Sequence, residues 1–255
     1  MQKLIFFVYG VLCHAMFLGV FLYLALFLAN YFVPKTIDSG TAGSFGQALM
    51  INLGLLALFA IPHTIMARPT FKRWWTRFVP TPIERSTYVL VSNLLMVLLL
   101  WQWQPMQGVV WEVQSSAVAT TLWALYGLGW LIIVFSSLLI NHFDLFGTRQ
   151  VWMHLRGKEY THLPFRVPSL YKFVRHPLYV GWLLAFWVTP TMTVGHLVFS
   201  IANTVYILIA IQFEERNLIE YHSEYADYRR RVPSLVPFPR SSGAASPALQ
   251  RDIAS

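Results

Sequence analysis

The residues best equipped for chemistry are Arg175, His176 and Tyr179, within Arg175-His176-Pro177-Leu178-Tyr179-Val180-Gly181, and the adjacent pair Glu214-Glu215. Pro177 suits the first turn of a helix, where its missing N–H would have no partner anyway. His176 precedes a proline and is pushed toward an extended backbone. Arg175 and His176 therefore stand at the mouth of a helix, whose free N–H groups and positive dipole end attract an anion such as a carboxylate. An ordinary cationic flank with a proline start would read the same way. Glu214 and Glu215 close an apolar run, where neighbouring carboxylates are costly unless paired or used. They can accept hydrogen bonds from an ammonium group or from ribose hydroxyls. The plain alternative is a solvated helix end with Arg216 as partner.

A second set suits proton transfer. His142 and Asp144 follow another apolar run, and Asn141 precedes them. A histidine near a carboxylate can take and pass on a proton. Two residues apart on a helix they do not face each other, so cooperation needs a bend, for which Gly147 is the sign. A capped helix terminus is the competing reading. His63 follows Pro62 near the end of the second run and is either a proton acceptor or a packed residue; Tyr171 is a further polar candidate. His14, Asn52 and Asn93 lie inside runs or near their ends and read as interhelical hydrogen-bonding groups. His63, His142, His154, His162 and His176 match no closed metal-ligand spacing, so no metal is expected. The single cysteine, Cys13, excludes an intrachain disulfide and a cysteine-based cluster.

The elements that must position these residues are membrane helices. The chain has 255 residues, 56% hydrophobic and 12% charged, against about 25% charged in soluble domains. Apolar runs cover residues 4–33, 47–66, 86–103, 117–141, 177–190 and 194–213. A spanning helix needs about 20 apolar residues, which predicts an all-α polytopic bundle of five to six membrane helices. The first run is too long for a signal peptide and reads as a retained helix. Thr189-Pro190-Thr191 breaks the last two runs into a helical hairpin, and a further C-terminal helix follows. Tryptophans near span ends, such as Trp74, Trp75, Trp101 and Trp103, read as interfacial anchors.

Lysine and arginine concentrate in residues 67–85, in 142–176 and beyond 214, whereas Lys35 is alone in the first intervening loop and residues 104–116 have none. Six crossings with both termini cytoplasmic place all three basic segments inside. The formal net charge of +8 thus reflects topology and anionic headgroups, not nucleic acid. The outer loops read as short and passive. Residues 1–239 read as one domain and 240–255, rich in Ser, Ala, Gly and Pro, as a disordered tail. No internal repeat and no G-x-G nucleotide fingerprint is present. If the hairpin turns near Pro190–Thr193, Glu214 falls roughly 12 Å beyond the level of Pro177 at 1.5 Å per residue. That gap suits a nucleoside carrying an amino-acid tail.

Arg-His-Pro-x-Tyr, the hairpin, Glu214-Glu215-x-x-Leu218 and Tyr225-x-x-Tyr228-x-x-x-Val232-Pro233 resemble membrane methyltransferases of the isoprenylcysteine carboxyl methyltransferase and phospholipid methyltransferase type. The resemblance covers about residues 168–237. It implies S-adenosylmethionine bound between the hairpin and the C-terminal helix, with Arg175, His176, Pro177, Tyr179, Gly181, Glu214 and Glu215 lining the site. A narrower resemblance spans nearly the whole chain. Asn141-His142-Phe143-Asp144-Leu145-Phe146-Gly147-Thr148-Arg149-Gln150-Val151-Trp152, Pro62-His63-Thr64-Ile65-Met66-Ala67-Arg68 and the segment from Tyr171 to Pro237 are similar to the bacterial methanethiol S-methyltransferases, which are related to NnrU-type membrane proteins. That resemblance implies a bacterial inner-membrane enzyme that methylates a small thiol to dimethyl sulfide.

Methyl transfer from a sulfonium is an in-line displacement, with the nucleophile held about 3–3.5 Å from the methyl carbon. The thiolate is the reactive form, so one group must take the thiol proton. His142, Asp144, His63 and Asn141 are the catalytic candidates, with His142 and Asp144 foremost. The alternatives are a lipid-borne acceptor, marked by a lateral slot open to the bilayer, and a non-enzymatic NnrU-like component.

Overall fold

In lipid a backbone must satisfy its polar groups within its own segment, and a helix does so. A computed structural model, which describes residues 1–161 and 163–237, turns the apolar runs into α1 (Gln2–Leu28), α2 (Phe45–Met66), α4 (Glu84–Gln102), α5 (Ser116–Leu139), α8 (Pro177–Trp187) and α9 (Val194–Tyr221). Short helices α3 (Pro69–Trp75), α6 (His142–Leu145), α7 (Thr148–Leu155) and α10 (Tyr225–Arg231) lie between or after them, with strands β1 (Val109–Glu112) and β2 (Thr191–Thr193). Among the described residues, five helices are long and apolar enough to cross a membrane, and α8 is shorter at 11 residues. The protein is an integral membrane protein. The expected tail at 240–255, and His162, lie outside the described residues.

Local signals set the ends. Ser44 caps α2 by accepting from the Gln47 N–H at 3.3 Å, and Thr193 caps α9 by accepting from that of His196 at 3.2 Å. Pro177 opens α8. Helix α1 stops at Leu28, short of the expected Val33, because Asn30 and Phe32 turn the chain with φ of 57° and 60°. Helix α9 continues past the apolar run to Tyr221.

The described parts of all three basic segments meet at one end of the bundle, where Arg85 pairs with Asp144, Arg68 lies over Phe213 and Arg175 pairs with Glu215. There α1 begins beside α7, with Phe6 5.7 Å from the His154 ring and Phe7 5.7 Å from the Trp152 ring, between centroids. The opposite end is a built cap. β1 and β2 pair antiparallel. Trp111 donates to the Thr189 carbonyl at 3.1 Å, Thr193 to Asp38 at 2.7 Å, and Asn52 exchanges two 2.8 Å bonds with Gln104.

The ribbon also corrects the expected 12 Å gap. That figure assumed helical rise on both hairpin arms, but Val188–Thr193 runs extended into β2. Extended chain advances about 3.3 Å per residue, not 1.5 Å. The top of the hairpin is therefore higher, and the glutamates return level with the mouth of α8.

The most extensive helix contact joins α5 to α8. It rests on Gly129 and Gly181: a Cβ on Gly181 would lie 2.8 Å from the Gly129 carbonyl oxygen and 2.9 Å from the Ile133 nitrogen. Small residues let membrane helices approach this closely. Gly181→Ala should therefore lower the melting temperature of the detergent-purified protein, with an overpacking cost of about 1–3 kcal/mol. An unchanged melting curve would show that α5 and α8 are not in backbone contact.

Candidate active site

Glu215 is the centre of the basic end. It lies 2% exposed at the last turns of α9. Its Oε1 accepts from Arg175 Nε at 2.8 Å and meets the same guanidinium's Nη2 at 2.7 Å. His176 Nε2 is 3.0 Å away, and Arg229 Nε reaches Oε2 at 2.9 Å. The partners are thus Arg175, His176 and Arg229, not Arg216. Arg175 also donates to the carbonyls of Arg229 and Val232. The N–H groups of Arg175 and His176 bond to the Pro233 and Ser234 carbonyls at 2.9 and 3.1 Å. The chain after α10 is therefore laid back across the mouth of α8.

Glu214, one residue earlier, faces elsewhere. Its side chain is 45% exposed, accepts from the Tyr179 hydroxyl at 2.9 Å and lies 3.9 Å from His176 Nδ1. Tyr225, from α10, is within electrostatic reach of both glutamates, and its buried hydroxyl has no hydrogen-bond partner among the described residues. Burial beside Glu214 pushes the Tyr171 hydroxyl up from the ordinary phenol value, and the Tyr171 carbonyl accepts from Tyr228 at 2.6 Å. Arg175, His176, Tyr179, Glu214 and Glu215 are brought together; Pro177 supplies the helix start, and Gly181 faces α5.

The proton-acceptor candidates divide into two groups. His63 stacks on Phe59 and bonds to Tyr88 through Nε2 at 2.9 Å and to Ser92 through Nδ1 at 3.0 Å. Tyr88 and Tyr206 both lie within electrostatic reach of Tyr179. His63 therefore belongs to the group around Tyr179 and Glu214.

His142 is elsewhere. Its Nε2 is 3.0 Å from Nε2 of His14, its Nδ1 is 2.8 Å from the Ser137 hydroxyl, and His14 Nδ1 is 2.8 Å from the Thr148 hydroxyl. Ser137 donates to the Val134 carbonyl at 2.7 Å. With both rings neutral, Nδ1–H of His142 then donates to Ser137, Nε2–H of His14 donates to His142, and Thr148 donates to His14. Burial and the neighbouring His14 ring push His142 below the usual imidazole range, so it is neutral at pH 7.

The expected coupling of Asp144 to His142 does not form. Asp144 binds Arg85 at 2.7 Å and Arg149 at 3.0 Å, and accepts from Tyr160 at 3.2 Å. Asn141, at φ 83°, bends the chain and caps α6 by accepting from the Asp144 N–H at 3.0 Å. That bend turns the two side chains apart. Tyr88 and Tyr206 are the residues the sequence reading passed over, whereas His14 makes the interhelical bonds expected of it and Tyr225 was read only as part of a motif. A histidine inside an apolar run was the available signal for His14; tyrosines in such runs look like ordinary packing.

Comparison with known proteins covers most of the chain. The chain is 54% identical over 236 residues to methanethiol S-methyltransferase 2 of Bradyrhizobium diazoefficiens, covering 92% of this chain and 91% of that protein. It is 49% identical over 240 residues to methanethiol S-methyltransferase of Mycobacterium tuberculosis, covering 94% and 98%. Nurim of Sus scrofa is 31% identical over 176 residues, 66% of each chain. No family model and no solved structure matches.

The burial of Glu215 sets what its loss costs. At a solvated span end, removing Glu215 or His176 would leave folding nearly intact. Here, removing one partner of a buried ion pair costs about 3–5 kcal/mol. Glu215→Ala should lower the melting temperature sharply, whereas Glu214→Ala, half exposed, should leave it near that of the parent. Equal melting temperatures for both would remove Glu215 from its structural role.

Proposed function

The chain belongs to the methanethiol S-methyltransferase family, and on that premise we propose that it methylates methanethiol to dimethyl sulfide with S-adenosylmethionine as donor. The observation that carries this reading is the pairing of two unlike carboxylates at the mouth of α8. Glu215 is paired with two guanidinium groups, those of Arg175 and Arg229, and bonded to His176, while Glu214 is half exposed beside Tyr179. The residues fit the donor's chemistry. The N–H groups of Leu178 and Tyr179 precede the first intrahelical bond of α8, made by Val180, and can receive a carboxylate. Glu214 can accept from an ammonium group or ribose hydroxyls. The Tyr225 hydroxyl, buried without a partner, can bond to a ligand. When bound, the donor supplies an electrophilic methyl group on a sulfonium.

In the reaction the thiol sulfur forms a bond to the methyl carbon as the bond from that carbon to the sulfonium breaks. The thiol proton goes to the protein, and an uncharged thioether leaves. His63 takes the proton, because Tyr88 links it to the neighbourhood of Tyr179 and Glu214. A cationic neighbour lowers a thiol's pKa, so a neutral imidazole suffices as acceptor. His142 is the second reading, favoured by its neutral ring and by the chain through His14 to Thr148. Asp144 and Asn141 hold in shape the α5–α7 turn that carries His142. Residues 1–239 act as one domain in a bacterial inner membrane, with the basic end and both termini cytoplasmic.

Dimethyl sulfide formation from methanethiol and S-adenosylmethionine in membranes is the direct test. Glu214→Ala should weaken donor binding by calorimetry without loss of fold. Native donor affinity in that variant would remove Glu214 from the site. For the proton, His63→Ala should lower turnover at pH 7 by about 100-fold and lose less at pH 9, where thiolate is already abundant. If His63→Ala keeps the parent profile and His142→Ala shows the alkaline recovery, the acceptor is His142.

A further inference from the structure

A groove of about 690 Å³ runs along the outer face between α2 and α9, within the membrane-spanning stretch of both helices. Its walls are aliphatic, with small side chains at Ala60 and Ala202. The polar groups on it are few. Asn203 turns its amide back to the Phe199 carbonyl of its own helix at 2.9 Å. That leaves Thr64 and Tyr206, where the Thr64 hydroxyl donates to that of Tyr206 at 3.2 Å. Tyr206, having accepted from Thr64, keeps its own hydrogen to donate. It is also within electrostatic reach of Tyr179 and of Tyr88, the partner of His63. The groove thus leads from the lipid-facing surface to a hydroxyl pair bordering the candidate site.

A lateral slot of this kind is what a lipid-borne acceptor would require, yet the family acts on a one-carbon thiol. We infer that this groove is the path by which the thiol reaches the site and the thioether leaves it, with Thr64 and Tyr206 as the residues that receive the sulfur. This inference rests on the function proposed above. Methanethiol and dimethyl sulfide are small, uncharged and apolar, so the hydrocarbon layer holds both. An aliphatic channel passes them while excluding the charged donor, which binds at the basic end. A weak acceptor such as a thiol sulfur is then first met by a donor hydroxyl, that of Tyr206, which lies about two helical turns before Glu214 on α9 and pairs with Thr64, the residue after His63.

The test compares the parent with Ala60→Phe and Ala202→Phe, which fill the groove, and with Tyr206→Phe, which removes only a hydroxyl and keeps the ring. Kinetics with methanethiol and ethanethiol are read beside calorimetric affinity for S-adenosylmethionine. The expected result is a rise in thiol KM of about 10-fold in the filled-groove variants, the scale on which pockets discriminate single methyl groups. Ethanethiol should be affected more than methanethiol, with donor affinity unchanged. Tyr206→Phe should raise thiol KM without the chain-length effect. Parent KM values for both thiols in all three variants would overturn the inference. So would a lipid retained in the parent's groove by native mass spectrometry and lost from the filled variants without change in thiol kinetics. If a phenylalanine variant fails to fold, Ala202→Leu and Tyr206→Phe carry the same comparison. A parent enzyme that methylates a lipid and no thiol would instead sink the proposed function, which is a different outcome.

Discussion

A single buried carboxylate organises the basic end of this membrane protein. An anion taken out of water costs several kcal/mol unless cations and hydrogen bonds replace the lost solvent. Glu215 is answered by Arg175 and His176 ahead of α8 and by Arg229 from α10. The same contact therefore fixes the last turns of α9, the mouth of α8 and the position of the terminal helix. Consecutive residues on a helix are about 100° apart, from 3.6 residues per turn. That angle gives Glu214 and Glu215 different surroundings. One carboxylate is enclosed and neutralised; its neighbour is half exposed beside Tyr179 and His176.

Much of this was legible in the sequence because lipid is a demanding solvent. Apolar length reported the helices, and the distribution of lysine and arginine reported which loops share an end. Arg175-His176-Pro177 reported a helix mouth through proline's geometry alone. What could not be read was anything depending on distance between segments. Residues 188–193 hold no strong strand signal, so their extended run, and with it the height of the hairpin, came only from pairing with β1. The plain alternative offered Arg216 as partner by proximity in sequence, whereas a helix places that neighbour of Glu215 on another face. Asp144 and His142 were separated by Asn141, whose left-handed backbone is not visible from its type.

Polar groups inside the bundle are not scattered. His63, Tyr88, Tyr179 and Tyr206 gather from α2, α4, α8 and α9, while His14, Ser137, His142 and Thr148 gather from α1 and the α5–α7 turn. In lipid a lone polar side chain has no water to turn to, so such groups are expected to pair. Pairing alone accounts for the histidine chain, whose donors and acceptors match end to end. The tyrosine group differs, because it adjoins a half-exposed carboxylate and an open groove.

The return of the chain across the mouth of α8 bears on how the molecule is made. Translation delivers a polypeptide from its N-terminus, and helices α1 to α9 are complete before Arg229, Pro233 and Ser234 leave the ribosome. Until then Glu215 lacks one of its cations, and the backbone N–H groups of Arg175 and His176 lack their carbonyls. The membrane-embedded frame is therefore built first, and the candidate site closes only once the chain beyond α9 has been made. A nascent chain halted after α9 would hold Glu215 without Arg229 and the mouth of α8 without its covering segment.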